Sequence, residues 1–438
     1  MGHPGTLPTI NREAVKQVLR VGTALGGTLA DFTEFDRKNY FYPDIPKGYQ
    51  LSQYAHPLVL GGVLDGVALT RIHLEEDTAR SQHEGDLPDL PAGRQGGEAG
   101  QSLIDFNRSG IPLMELVTEP VLHNPTAAGH FARELQILLR TLAVSEAHME
   151  KGEMRVEANI SVAPEGSKEL GAKVEIKNLN SFRAVERALE YEIVRHTKTL
   201  EAGETIVQET RGWNDEKGIT FSQRSKEYSH DYRYFPDPDL PKLWISQIPA
   251  FKNLASTLPE LPWQRRERLT TLGIKPEDAE MYVVDEEWSA FFDAVSGALS
   301  KEPKLLILAS NYITSDLVGL RKANTAITLP EPSDFAELIR MMALRELSSR
   351  GAKDVLALLV RERGNPRSLA EREGLLQVHD EEALTAVVEK VITSNPKVVA
   401  EFRGGKEQAL QFLVGAAMRE SKGSANPAIL VKLLRKNC

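Results

Sequence analysis

Polar and apolar positions alternate most regularly in two runs of the first half of the chain, Glu153–Val162 and Lys173–Lys177. Successive side chains of a strand leave on opposite faces. Met154, Val156, Ala158, Ile160 and Val162 therefore share one face, and Glu153, Arg155, Glu157, Asn159 and Ser161 the other. In the second run Val174 and Ile176 oppose Lys173, Glu175 and Lys177. Pro164, Gly166 and Gly171 between the runs predict a hairpin, which places both polar rows on one surface. A surface mixing acids, bases and amides is an unusual solvent face and suits a metal-nucleotide platform.

The same reading predicts strands over Gly66–Asp77 and Ile111–Val117. Asn11 is placed to cap a helix with the stripe Ala14, Val15, Val18, Leu19 and Leu25. A second helix should start after Asn180 or Ser181, carry Val185, Ala188, Leu189 and Ile193 on one side, and stop near Gly203. Asn214–Gly218 reads as a hairpin turn. Leu87–Gln101, with two prolines and several glycines, reads as a disordered surface insertion. From about Leu254 helix formers dominate, with 3.6-type spacing in Phe335, Leu338, Ile339 and Met342. A last region is broken at Asn395-Pro396, Gly404-Gly405 and Asn426-Pro427. The fold class is α+β followed by all-α, with expected domains at 1–253, 254–370 and 371–438.

A length of 438 residues exceeds one ordinary core, and 41% hydrophobic with 26% charged residues describes a water-soluble globular chain. No apolar run approaches a membrane span, and the first residues carry no secretory pattern. The one cysteine, Cys438, excludes an internal disulfide and a multi-cysteine zinc site, and points to a cytosolic setting. A net charge of −9 argues against a uniformly basic nucleic-acid coat. A local basic face remains: Arg403, Lys406, Arg419, Lys422, Lys432, Arg435 and Lys436 stand against Glu407 and Glu420.

Acids gather at strand ends. Glu75, Glu76 and Asp77 close one predicted strand, Glu115 sits inside the apolar run Ile111–Val117, and Glu157 and Glu175 lie on the two arms of the hairpin. Mg²⁺ takes oxygen ligands and keeps phosphates and waters in its shell, so carboxylates from several strands around one hollow suit Mg·ATP. The run Glu75–Asp77 equally describes a solvated strand end. The apolar neighbours of Glu115 predict burial, with either a base or a metal as its partner. Arg224, Lys226 and Arg233 stand among aromatics and match phosphate oxygens, or form ion pairs with Glu227 and Asp231. No GxxxxGK[ST] loop and no HExxH helix occurs.

Nine segments in order carry a family resemblance: Asp36–Pro43 (DRKNYFYP), Gln50–Gln53 (QLSQ), Arg71–Asp77 (RIHLEED), Asp105–Pro112 (DFNRSGIP), Glu115–Pro120 (ELVTEP), Glu157–Ser161 (EANIS), Glu175–Phe182 (EIKNLNSF), Glu209–Arg211 (ETR) and His230–Pro236 (HDYRYFP). Together they resemble GatB, the B subunit of the bacterial aspartyl/glutamyl-tRNA(Asn/Gln) amidotransferase. Phe412–Val414, Lys422–Pro427 and Leu430–Leu434 resemble that family's YqeY-like tail. The resemblance implies a mainly antiparallel-sheet cradle akin to glutamine synthetase and guanido kinases, a helical domain, and a tail that grips tRNA. It implies a carbon–nitrogen ligase that uses ATP and Mg²⁺ to phosphorylate the side-chain carboxylate of Glu-tRNA(Gln) or Asp-tRNA(Asn). Ammonia channelled from the A subunit, an amidase, then displaces phosphate, in a heterotrimer completed by a small C subunit. By motif, Glu76, Glu115 and Glu175 are the first-choice metal and catalytic ligands, with Glu75 next; Arg224, Lys226, Arg233 and Glu157 are nucleotide candidates. The resemblance also leads us to expect an N-terminally truncated member, lacking a strand with two further ligands. A non-catalytic tRNA-binding scaffold is the alternative that follows. The archaeal GatE type would need an insertion domain, for which Pro241–Leu254 leaves no room.

Overall fold

A computed structural model describes residues 6–83, 102–225, 232–377, 381–421, 425 and 427–438. The chain forms two compact units, Met1–Pro262 and Trp263–Cys438. The predicted insertion Leu87–Gln101 and the candidate Lys226 lie outside the described residues.

Unit 1 is α+β. Its main elements in chain order are α1 (Arg12–Ala24), β1 (Asp36–Asn39), β2 (Tyr49–Ser52), β3 (Val59–Leu60), β4 (Val67–Glu76), β5 (Pro112–Thr118), α2 (Pro125–Thr141), β6 (Val156–Ile160), β7 (Val174–Leu179), α3 (Phe182–Glu201), β8 (Glu209–Asn214), β9 (Ile219–Ser225) and β10 (Phe235–Pro236). Helix α1 begins where Asn11 was expected to cap it: the Asn11 side chain accepts hydrogen bonds from the Glu13 and Ala14 amides at 2.9 and 3.1 Å. It buries Val15, Val18 and Leu19. Helix α3 starts behind Ser181, whose hydroxyl accepts from the Ala184 amide, and its chain exit turns at Gly203 with φ +78°.

The first sheet runs in the order Thr28–Leu29, β3, β4, β5, all antiparallel, with Val63–Leu64 also pairing β4. Its inner face joins α1 and α2 in one core with Val67, Leu69, Ile72 and Leu74. These four do not share one alternation. A register shift between Val117 and Thr118 opposite Leu69–Arg71 inverts the phase of β4 midway. Beyond it Ile72 and Leu74 continue into the core, while Arg71, His73 and Glu75 face the other way.

The second sheet has the order β6-β7-β8-β9. The predicted hairpin is present, with Asn159 opposite Glu175 and Ala158 opposite Ile176. The β7–β8 pair is parallel, which the mainly antiparallel expectation did not include. Asn214 and Ile219 bracket the expected β8–β9 turn. Ile176, Leu179 and Trp213 pack on Ala184, Val185, Ala188 and Leu189 of α3. A third sheet, β10-β1-β2, brings β2 to the end of β4.

The described residues of unit 2 are almost entirely helical. One core is built on Tyr282, Phe292, Phe335, Leu338 and Ile339; a separate one is built on Leu384, Val388, Leu413, Leu430 and Leu434. Helices start at Pro396 and Pro427 and one ends at Arg403, following the expected breaks. Proline tolerates the first helical turn, where its missing N–H has no partner to lose. Among the described residues no helix is long and apolar enough to cross a membrane.

Candidate active site

The candidate site is a cluster of side chains on the outward face of β4. His73 and Glu75, two residues apart, project together, and the ladder sets Glu115 of β5 directly opposite His73. One ligand atom from each of His73, Glu75 and Glu115 lies within 4.8 Å of the others. The His73 Nε2 is 3.2 Å from Glu75 Oε1 and 3.9 Å from Glu115 Oε2. His73 Nδ1 is buried with no hydrogen-bond partner among the described residues. An imidazole nitrogen, Nε2, and two carboxylates within reach of one point are a donor set that fits a divalent cation.

Strand β2 completes the first carboxylate. Ser52 Oγ donates to Glu75 Oε1 at 2.6 Å, Gln50 Nε2 donates to Oε2 at 2.9 Å, and Lys38 Nζ stands 4.0 Å away. Burial would raise the Glu75 carboxyl, but His73, the Lys38 charge and Ser52 outweigh it, so the group ionises below the ordinary glutamate value. Glu75 is thus held as a carboxylate ready to face a cation.

The expectation that Glu115 is buried is overturned: 45% of its side-chain surface is exposed. The reason is alternation on β5. Met114 and Leu116 pack on the unit 1 core, and Glu115 points to the opposite face. Glu76 also departs from its neighbour. One residue beyond Glu75, it turns to the other side, where the Leu51 amide donates to Oε1 at 2.8 Å and Lys47 forms an ion pair with it.

Glu175 lies on the second sheet. Thr210 Oγ, its partner across the parallel ladder, donates to Oε2 at 2.8 Å. Lys177 Nζ spans two acids, 3.6 Å from Glu175 and 3.2 Å from Glu157. Crowding by the protein and by Glu175 raises the Glu157 carboxyl against the pull of Lys177. The Lys177 ammonium is raised, since the two glutamates outweigh its desolvation.

Tyr232 connects the clusters. Its ring lies 6.1 Å from Tyr40 and 6.0 Å from Tyr234, with the Lys38 ammonium 5.2 Å from its centroid, and its phenol contributes to the field at Lys177. Tyr234 stacks on Tyr54 at 4.5 Å and feels the charges of Glu75 and Glu115. The structure therefore brings Glu75 and Glu115 together with His73, and sets Glu175 and Glu157 around Lys177 in a second cluster. Arg233 adopts φ +43°, with its carbonyl accepting from Asn39 Nδ2 at 2.8 Å. Arg224 occupies β9 opposite Thr210, and its side chain lies outside the described residues.

His73, Gln50, Ser52 and Thr210 were not among the sequence candidates. His73 carried a usable signal, its two-residue spacing from Glu75 on a predicted strand. The other three become neighbours of the carboxylates only through sheet pairing.

Residues 1–249 match the family model described as the GatB/GatE catalytic domain, and residues 290–438 match the one described as the GatB domain. The chain is 43% identical over its whole length to the B subunit of the aspartyl/glutamyl-tRNA(Asn/Gln) amidotransferase of Dehalococcoides mccartyi strain CBDB1, covering 90% of that protein. It is 42% identical to the B subunit from Herpetosiphon aurantiacus and 39% identical to that from Synechocystis sp. PCC 6803, covering 90% and 89% of them and 99% and 100% of itself. With a catalytic-domain match over more than half its length and such identities throughout, the chain belongs to the GatB family, the B subunits of the aspartyl/glutamyl-tRNA(Asn/Gln) amidotransferases.

Proposed function

We propose that this chain is the tRNA-amidating subunit of a glutamine-dependent carbon–nitrogen ligase. It uses ATP to phosphorylate the side-chain carboxylate of Glu-tRNA(Gln) or Asp-tRNA(Asn), and ammonia from the amidase of the complex replaces the phosphate to give the amide. A carboxylate is a poor electrophile because oxide would have to leave; phosphate leaves far more readily. The observation that carries the reading is the cluster of His73, Glu75 and Glu115, in a unit matching the family's catalytic-domain model.

His73, Glu75 and Glu115 would hold Mg²⁺. Bound there, the ion would offset the charge of the ATP phosphates near the acid they must approach. The protein's own part is positioning. His73, Lys38 and Ser52 keep Glu75 ionised, Gln50 and Ser52 orient it, and the tyrosines 40, 54, 232 and 234 flank the acids with aromatic surface. Glu175 and Glu157, sharing Lys177, form a second polar group to which the nucleotide or a further ion could be directed, with Arg233 and Arg224 as phosphate contacts. Glu76, tied to Leu51 and Lys47, serves as a neighbouring support.

The division into a cradle at 1–253 with a glutamine synthetase-like fold, a helical domain at 254–370 and a tail at 371–438 follows the same reading. The helical parts would contact tRNA, in a cytoplasmic heterotrimer completed by the amidase and a small third chain. The two separate cores in unit 2 support a distinct tail.

The test is ATP consumption that depends on Glu-tRNA(Gln) by the complete heterotrimer. Glu75→Gln and Glu115→Gln should each lower it by about 100-fold, the scale at which metal-site changes act. Turnover that survives both changes, with the complex intact, would refute the reading.

A further inference from the structure

Arg71 extends the outward row of β4: Arg71, His73 and Glu75 follow one another at two-residue steps of about 6–7 Å. Its direct partners across the sheet are Val117 and Leu60, which carry no charge. Glu119, a carboxylate at that end of the ladder, accepts from Thr70 Oγ at 2.7 Å. The Arg71 Nε is buried and has no hydrogen-bond partner among the described residues. A guanidinium N–H shut away from water without an acceptor is costly, so its retention beside a cluster of acids calls for a ligand. Arg71 is also near enough to Tyr234 to act on its phenol, which feels Glu75 and Glu115 as well. Arginine, tyrosine and the metal-fitting acids thus converge on one side of β4.

We propose that Arg71 grips an oxyanion, a phosphoryl or carboxylate group, that at the same time faces the His73–Glu75–Glu115 cluster. This deepens the reading above and rests on it. The planar guanidinium fork matches two oxygens of such a group, whereas a cation alone would leave Arg71 unanswered. The phosphates of ATP and the side-chain carboxylate of the aminoacyl-tRNA share the required chemistry.

The test is calorimetry on the full heterotrimer with Mn²⁺ alone and with Mn²⁺ plus a non-hydrolysable ATP analogue, comparing the unmodified protein with Arg71→Gln and Arg71→Lys. The lysine variant keeps the charge and the packing while removing the fork, so it remains informative if the glutamine variant folds poorly. Nucleotide affinity about tenfold or more weaker in both variants, with Mn²⁺ affinity kept within about twofold, assigns the phosphate. Unchanged nucleotide affinity with KM for Glu-tRNA(Gln) raised about tenfold assigns the carboxylate. If neither changes, the role of Arg71 is overturned while the metal reading stands. An unmodified heterotrimer that binds no Mn²⁺ overturns the metal reading, and the Arg71 role with it.

Discussion

Glu115 stands directly across the β4–β5 ladder from His73, its carboxylate 3.9 Å from the imidazole Nε2. The two come from strands separated in sequence by about forty positions, and antiparallel register alone sets them face to face. Neither could reach the other if the register slipped by one residue, because every side chain of β5 would change sides.

That relationship predicts a separation of function from stability. Glu115 is half exposed, so Glu115→Gln should shift the unfolding free energy by no more than about 0.5 kcal/mol, as for an ordinary surface change. Mn²⁺ affinity should fall by about 10- to 100-fold. Paramagnetic titration of Mn²⁺ alongside thermal unfolding checks both; a large stability loss with unchanged Mn²⁺ binding would contradict the placement.

Glu192 of α3 is fully buried and holds Arg195, Arg211 and His196, with Thr220 Oγ donating at 2.5 Å. Burial would raise its carboxyl, but His196, Arg195 and Thr220 more than reverse this and bring it from 4.5 down to about 2. A depressed carboxylate stabilises the fold above the unfolded-state value and loses that contribution as pH falls. Unit 1 should therefore weaken from about pH 5 toward pH 2, by up to about 3 kcal/mol from this group. In Glu192→Gln the loss over that window should be smaller. Denaturant midpoints followed by Trp213 fluorescence, with the other tryptophans replaced, would reveal an unchanged pH slope if this is incorrect.

Glu192→Ala is expected to be worse than Glu192→Gln. It leaves Arg211 and His196 buried beside a cavity, a change that costs about 3–5 kcal/mol when one partner of a buried ion pair is removed. Because Arg211 neighbours Thr210, the support of Glu175 should loosen too. Faster amide exchange in β8 is the measurement; protection equal to the parent would exclude the link.

Lys177→Met should leave Glu157 and Glu175 without their shared cation. The Glu157 carboxyl, already raised, should move further up, since a nearby opposite charge favours the ionised form. Isotope-edited infrared titration of the carboxylate band reads this directly, and a downward movement would show that Lys177 is not the dominant cation there.

In the tail, Arg435 pairs with Glu407 at 3.0 Å and Lys406 lies 3.4 Å from Glu401, so part of the basic concentration is neutralised internally. Lys422 lies outside the described residues. Charge reversal at Arg435 and Lys436 should still weaken tRNA binding and reduce the slope of log K against log salt by about one to two. Filter binding at several salt concentrations checks it; an identical slope would place the tRNA contact elsewhere.

Local rules carried the sequence reading a long way. Asn11 and Ser181 announced their helices because a cap needs only a side-chain oxygen and the next few amides. The β6–β7 polar row was legible because alternation is a property of a single strand, and Glu157, Glu175 and Lys177 do share a face as that period requires. Tertiary structure decided what depends on partners. The bulge on β4 reverses the phase between Leu69 and Ile72, so Arg71, His73 and Glu75 escape a core that unbroken alternation would have given them. The outward turn of Glu115 and the Thr210 support of Glu175 likewise come from pairing between strands distant in the chain, which no local pattern encodes.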